Sequence, residues 1–168
     1  EALRIRQEEE LPVYERLGDV RSRAVTMGKI ADILQDRGQL DEALRIRQEE
    51  ELPVYERLGD VRSRAVTMGK IADILQDRGQ LDEALRIRQE EELPVYERLG
   101  LTHGLLIGKG NLAINLIERG RPEDRPEAKR LLKWALEQAV KLQLPEAGQI
   151  AHIIQMLFPE ERGSNQNE

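Results

Sequence analysis

Residues 19–59 read DVRSRAVTMGKIADILQDRGQLDEALRIRQEEELPVYERLG, and residues 60–100 repeat this stretch letter for letter. Residues 1–18 match the end of the same stretch, so a period of 41 residues covers the first 100 positions. A fixed period of this size is typical of helical-repeat proteins, in which each repeat packs on its neighbours. The sequence therefore predicts an all-α fold, an α-solenoid built from antiparallel helix pairs.

Glycines divide each repeat into two helices. Gly18, Gly38 and Gly59 stand about twenty residues apart, where a helix would end in a left-handed residue. Asp19 is the expected N-cap of the first helix, and apolar residues follow it at steps of three and four. Pro53 lies within the second helix, where a proline loses one backbone bond and clashes with a carbonyl. We expect a kink near Glu49–Pro53 or a break into two shorter helices.

The rest of the chain completes the predicted domain, a single solenoid over residues 1–158. Residues 1–18 are expected to be the second helix of a truncated repeat, and residues 101–144 a divergent last repeat. Residues 145–158 are predicted to form a C-terminal capping helix, and residues 159–168 a disordered tail. Because the chain begins at Glu1 without a methionine, we expect it to be a piece of a longer protein.

The repeat resembles a known family on a set of anchor residues. These are Ile30, Ala31, Leu34, Gly38, Asp41, Glu42 and Ala43, with Leu112, Ala113, Leu116, Gly120, Glu127 and Ala128 in the last repeat. They make the chain similar to tetratricopeptide (TPR)-type repeats, and more closely to bacterial TPR-like arrays of nearly identical units of about 42 residues. The repeat departs from the shorter TPR pattern at Arg47 and Glu50, where an aromatic residue and an alanine would be expected.

The resemblance implies a protein-interaction module that binds a peptide or a partner protein along a concave groove. The residues that it assigns to this groove are Lys29, Asp32, Lys70, Asp73, Asn111 and Ile114. Gly28 and its equivalents would let a ligand backbone approach. The alternative interpretation of Lys29 and Asp32 is a solvated helix face with an i,i+3 ion pair. The alternative function is a structural spacer or self-assembling module with no groove ligand.

Arg47 and Glu51 form an unusual pair, because on a continuous helix both fall within its apolar face. We predict that this i,i+4 ion pair lies in the packing interface. Its equivalents are Arg6 with Glu10 and Arg88 with Glu92, so the pairs would form an ionic ladder that fixes the register between repeats.

The N-terminal helix has an apolar face that its own repeat does not cover. Leu3, Val13, Tyr14 and Leu17 make up this face. We predict that the chain self-associates through it, as a homo-oligomer.

Composition and motifs argue against several other functions. The 32 acidic and 26 basic residues give a net charge of −6, which disfavours a nucleic-acid or anionic-membrane partner. The sequence contains no cysteine and has no long apolar run, so we predict a cytoplasmic protein without cofactor or metal. His103 and His152 lie on different predicted helices without a nucleophile at a recognisable spacing, which disfavours an enzyme.

Overall fold

The computed structural model describes residues 1–159, which are all-helical with repeated helix hairpins. Most of the predicted tail, residues 160–168, lies outside the described residues. The helices of the described residues are α1 (Ala2–Ile5, Arg6–Glu10 and Leu11–Leu17), α2 (Val20–Asp36), α3 (Leu40–Ile46, Arg47–Glu51 and Leu52–Leu58), α4 (Val61–Asp77), α5 (Leu81–Ile87, Arg88–Glu92 and Leu93–Arg98), α6 (Thr102–Arg119), α7 (Arg125–Lys141) and α8 (Glu146–Leu157). A short 3-10 turn, Pro122–Asp124, precedes α7.

The ends of the first helices follow the sequence signals. Ser22 donates its backbone N–H to Asp19 Oδ1 at 3.0 Å, and Ser63 does the same to Asp60 at 2.9 Å, so both aspartates are N-caps. After α2 the chain turns at Gly38, whose φ of 73° is left-handed and suits a residue without a Cβ. The predicted helix pairs are therefore confirmed at their boundaries.

The second helix of each repeat contains a π-helical turn where a kink or break was expected. In α3 this turn spans Arg47–Glu51, and the backbone stays right-handed helical on both sides of it. Leu52 donates its N–H to the carbonyl of Arg47, five residues back, just before Pro53. The wider turn is one way to accommodate a residue that cannot donate to the carbonyl four positions back. The prediction of a break is therefore wrong.

The described coordinates divide into two compact parts, which we treat separately. The first part is Glu1–Val95, and the second begins at Tyr96, inside the last segment of α5. In the first part, the core of the α2–α3 hairpin contains Met27, Ile30, Ala31, Leu34, Ala43 and Ile46. The α4–α5 hairpin repeats this core with Met68, Ile71, Ala72, Leu75, Ala84 and Ile87.

In the second part, α7 packs against α6 on one side and against α8 on another. The predicted last repeat contains α6 and α7, and the predicted capping helix corresponds to α8. Arg119 at the end of α6 makes two hydrogen bonds of 2.7 Å to the buried carboxylate of Asp124, which ties the connecting turn to α6.

Candidate functional site

The residues predicted for the groove lie on the first helix of each hairpin. Lys29 and Asp32 are on α2, and Lys70 and Asp73 are at the same positions of α4. Lys29 is exposed, whereas the other three are half-buried. The structure brings Lys70 Nζ to 3.4 Å from Asp32 Oδ1, so an ion pair joins consecutive repeats.

Asp32 belongs to a buried ion-pair network. Arg47 Nη2 donates to Asp32 Oδ1 at 2.5 Å, and Arg47 Nη1 donates to Glu51 Oε2 at 2.6 Å. Arg47 and Glu51 are both buried, which confirms that this pair lies in the packing interface. The expected i,i+3 pairing of Lys29 with Asp32 is not formed, because the Asp32 carboxylate faces Arg47 and Lys70.

The second hairpin repeats this network. Arg88 Nη2 lies 2.5 Å from Asp73 Oδ1, and Arg88 Nη1 lies 3.2 Å from Glu92 Oε2. Arg88 is among the largest fully buried side chains of the described residues. The groove carboxylates of both repeats therefore serve first to neutralise a buried arginine, a role that an isolated buried guanidinium requires.

Gly28 and Gly69 provide the space for these buried carboxylates. A Cβ at Gly28 would lie 2.6 Å from Glu51 Oε1, and one at Gly69 would lie 2.5 Å from Glu92 Oε1. The space beside each glycine is thus filled by the protein's own second helix, which corrects the expectation that Gly28 admits a ligand backbone. At Gly110 nothing lies within 4 Å of such an atom, so this position of α6 is open.

The burial of the two glutamates changes their acidity. Burial raises the pKa of Glu51 above its ordinary value, although Arg47 and a hydrogen bond from Thr67 oppose the change. Burial also raises the pKa of Glu92, where Arg88 opposes the effect and Asp73 adds to it. Desolvation therefore outweighs the attraction of the arginine at both positions.

A repeated exposed stripe remains on the first helices. Val25 is 39% exposed and Val66 is 44% exposed, which is unusual for valines at equivalent positions of packed helices. Lys29 and Lys70 follow them by four residues and so lie on the same helix face. The stripe of the first part thus pairs one apolar and one basic side chain in each repeat.

The last two predicted groove residues lie on α6 in the second part. Asn111 and Ile114 are both half-buried there. Ile107 precedes Asn111 by one helical turn and is 43% exposed, so an apolar side chain again occupies the position of Val25 and Val66.

The predicted self-association face is only partly open. Leu3 is half-buried and packs against the core of the α2–α3 hairpin, so it does not belong to an open face. Val13 and Leu17 are exposed and Tyr14 is half-buried. Leu58 and Leu99 are exposed as Leu17 is, which indicates that exposure at this position is a property of every repeat.

The second part contains a cavity that the sequence did not reveal. It has a volume of about 500 Å³ and is lined by Pro122, Arg125, Pro126, Lys129, Phe158 and Pro159. Arg125 and Lys129 lie over the ring of Phe158, at 5.0 and 5.4 Å from its centroid. Arg125 also donates to the carbonyl of Leu157 at 2.6 Å, which holds the end of α8 against α7. No spacing rule links these distant positions, so only the fold brings them together.

The remaining single residues have structural surroundings. His103 is exposed, with its Nε2 at 3.0 Å from Glu146 Oε1, and this contact lowers the pKa of Glu146. His152 is exposed, which corrects the expectation that it is half-buried. Lys109 lies inside α6 with its Nζ 4.2 Å from the ring centroid of Trp134.

Two searches of residues 1–159 gave negative results. This stretch contains no group of three or more histidine or acidic side chains that could hold a metal ion. None of its helices combines the length and apolar character needed to cross a bilayer.

Comparison with solved structures identifies the fold. The chain is similar to two structures of nearly identical TPR-like repeats from a putative kinesin light chain of Podosopora anserina. The first has a TM-score of 0.66 and 18% identity, and the match covers 94% of this chain and 86% of that one. The chain has a TPR-like repeat fold. The second has a TM-score of 0.64 and 18% identity over 95% of this chain and 87% of that one, and it is the same kind of TPR-like array.

No protein-family model and no curated protein matches the sequence. The TPR-like architecture therefore rests on the repeated hairpins and on the likeness to these structures. TPR-like folds commonly mediate protein–protein interaction and are typically not enzymes.

Proposed function

We propose that this chain is a protein-interaction scaffold that binds a peptide or a partner protein along the exposed surface of its first helices. The observation that carries the proposal is the repeated stripe of Val25 with Lys29 and Val66 with Lys70. Such a surface is complementary to a ligand with apolar and acidic side chains. The proposed contact residues are Lys29, Asp32, Lys70 and Asp73 in the first part and Asn111 and Ile114 in the second.

The charges of the network refine this ligand preference. Arg47 neutralises Asp32, and Arg88 neutralises Asp73, so these carboxylates add little negative potential to the surface. Lys29 is exposed and carries its charge next to Val25. An acidic ligand is thus compatible with this surface even though the whole chain has a net charge of −6.

A displayed library of random peptides tests the proposal. The bait is the full chain, beside the double variant Val25→Glu, Val66→Glu and the matched control Val140→Glu, which alters an exposed valine on α7. We expect acidic peptides with apolar residues to be enriched on the parent and on the control. The double variant should lose them while its circular dichroism spectrum stays unchanged.

Two results would count against the groove. Equal retention of the peptides by all three baits would place binding on another face. Enrichment of no peptide at all would favour the structural spacer as the function. The location of the protein stays a prediction, the cytoplasm, based on a composition without cysteine.

A further inference from the structure

One face of α1 lacks the cover that the same residues have in α3. Val13 is 39% exposed, whereas its equivalent Val54 is 6% exposed. The Arg6 side chain is 24% exposed, and that of its equivalent Arg47 is 4% exposed. The sequences of these two helices are identical over this stretch, so the difference comes only from what packs on them.

The covered copy shows what fits this face. Val54 and Tyr55 of α3 pack against Ala24 of α2, and Glu51 fills the space beside Gly28. Arg47 donates to Asp32, one further turn along α2. Ala24, Gly28 and Asp32 are spaced at i, i+4 and i+8, so they form one line along the helix.

The open face of α1 presents the complementary line. Arg6 Nη1 lies 3.1 Å from Glu10 Oε2, as Arg47 pairs with Glu51. Thr26 Oγ1 donates to Glu10 at 3.3 Å, so α1 is held on α2 by the contact that Thr67 makes to Glu51. Within residues 1–159, Arg6 has no counterpart of Asp32, and Val13 has no counterpart of Ala24.

We propose that this face, formed by Arg6, Glu10, Val13 and Tyr14, binds a helix of a partner polypeptide that carries alanine, glycine and aspartate at i, i+4 and i+8. The alanine packs on Val13 and Tyr14. The glycine leaves room for the Glu10 carboxylate, and the aspartate accepts from the guanidinium of Arg6. The spacing and the charge both follow from the way α2 covers α3.

A folded second copy of this chain is a poor source of such a helix. In α2 the line of Gly28 and Asp32 is occupied by α3, and in α4 the line of Gly69 and Asp73 is occupied by Glu92 and Arg88 of α5. The equivalent line of α6 contains Leu106 and Ile114 in place of alanine and aspartate. The predicted self-association through α1 is therefore an alternative outcome of the test.

The test uses a fluorescein-labelled synthetic peptide of residues 19–38 and the full chain, with binding followed by fluorescence anisotropy. We expect saturable binding. The same peptide with Gly28→Leu should bind at least about tenfold more weakly, because the leucine occupies the space of the Glu10 carboxylate. A peptide with Asp32→Ala should also bind more weakly, since Arg6 then gains no carboxylate.

Variants of the chain identify the face. Val13→Glu should weaken peptide binding at least about tenfold, whereas Val140→Glu should leave it unchanged. Equal binding to the Val13→Glu chain would overturn the proposal, because the peptide would then have displaced α2 or α4 from its own hairpin. Absence of saturable binding up to the solubility limit of the peptide would overturn it as well.

Sedimentation of the unlabelled chain provides the last arm. The proposal expects a monomer at the concentrations used for anisotropy. A dimer that Val13→Glu abolishes would show that a second copy occupies the face, and the partner helix would be rejected. None of these results depends on Val25 or Val66, so they are independent of the peptide-display experiment.

Discussion

Gly28 and Gly69 determine how closely the two helices of each hairpin approach. Beside each of them lies a carboxylate of the second helix, Glu51 or Glu92, at a distance that leaves no room for a methyl group. A glycine in a helix interior costs about 0.5–1 kcal/mol relative to alanine. The close approach of the buried ion pair offsets this cost.

Replacing Gly28 with alanine should therefore destabilise the protein despite the better helix propensity of alanine. The added Cβ lies 2.6 Å from Glu51 Oε1, so either the carboxylate or the helix must move. We expect a loss of about 1–3 kcal/mol in the free energy of unfolding, the usual cost of overpacking. Urea denaturation followed by circular dichroism measures it.

Gly110→Ala is the matched control. This glycine is also inside a helix, but nothing lies within 4 Å of the position of its Cβ. Here the propensity term acts alone, and we expect a gain of about 0.5–1 kcal/mol. Similar effects of the two substitutions would show that the contact between Gly28 and Glu51 is absent in solution.

The buried glutamates should respond to pH in the opposite direction to the surface carboxylates. Because the folded pKa of Glu51 is raised, the folded state holds the proton more tightly than the unfolded state. Its favourable contribution is complete below the unfolded pKa and is lost as the pH rises through the folded pKa. Glu42 and Glu83, whose pKa values are lowered by Arg45 and Arg86, behave in the reverse way.

The Glu51→Gln variant isolates this effect. It cannot titrate, so the stability of the parent relative to the variant should increase as the pH falls from neutral towards the ordinary glutamate pKa of 4.5. Urea titrations of both proteins at a series of pH values give this difference directly. A relative stability that falls on acidification would mean that the attraction of Arg47 outweighs burial.

At the scale of the helix, the sequence predicts boundaries better than internal geometry. Gly38 and Asp19 act through bonds within their own turns, so their effects can be read from neighbouring letters. Pro53 excludes one backbone bond but does not determine whether the helix breaks, kinks or widens. The structure has a π-helical turn over Arg47–Glu51, which keeps the helix continuous.

The candidate site shows the same difference between local and distant information. The i,i+4 spacing of Arg47 and Glu51 predicts their pairing, and the structure confirms that they are buried. The contact of Arg47 with Asp32 joins two helices across fifteen positions, and no local pattern indicates it. Asp32 was therefore assigned to a ligand surface, although its carboxylate is engaged by the protein's own arginine.

At the scale of the molecule, the identical repeats turn one network into a repeated device. Within the first part, the Asp32–Arg47–Glu51 network recurs as Asp73, Arg88 and Glu92. Lys70 and Thr67 of the following repeat contact the first copy, so the network also connects neighbours. Stability in such arrays is approximately a sum of terms within repeats and between them.

The central claim is that these charges hold the hairpins together from inside, and Arg47→Met tests it most directly. Removing one partner of a buried ion pair costs about 3–5 kcal/mol, because the other charge stays buried without compensation. The double variant Arg47→Met, Glu51→Met should recover most of that loss. The control is Arg45→Met, which removes an exposed arginine paired with Glu42 and Glu49 on the same helix.

Urea denaturation of the four proteins decides the matter. We predict a large loss of unfolding free energy for Arg47→Met, a much smaller one for the double variant, and a transition within error of the parent for Arg45→Met. Equal, negligible shifts for Arg47→Met and Arg45→Met would contradict the account, because the Arg47 network would then contribute no more than a surface ion pair.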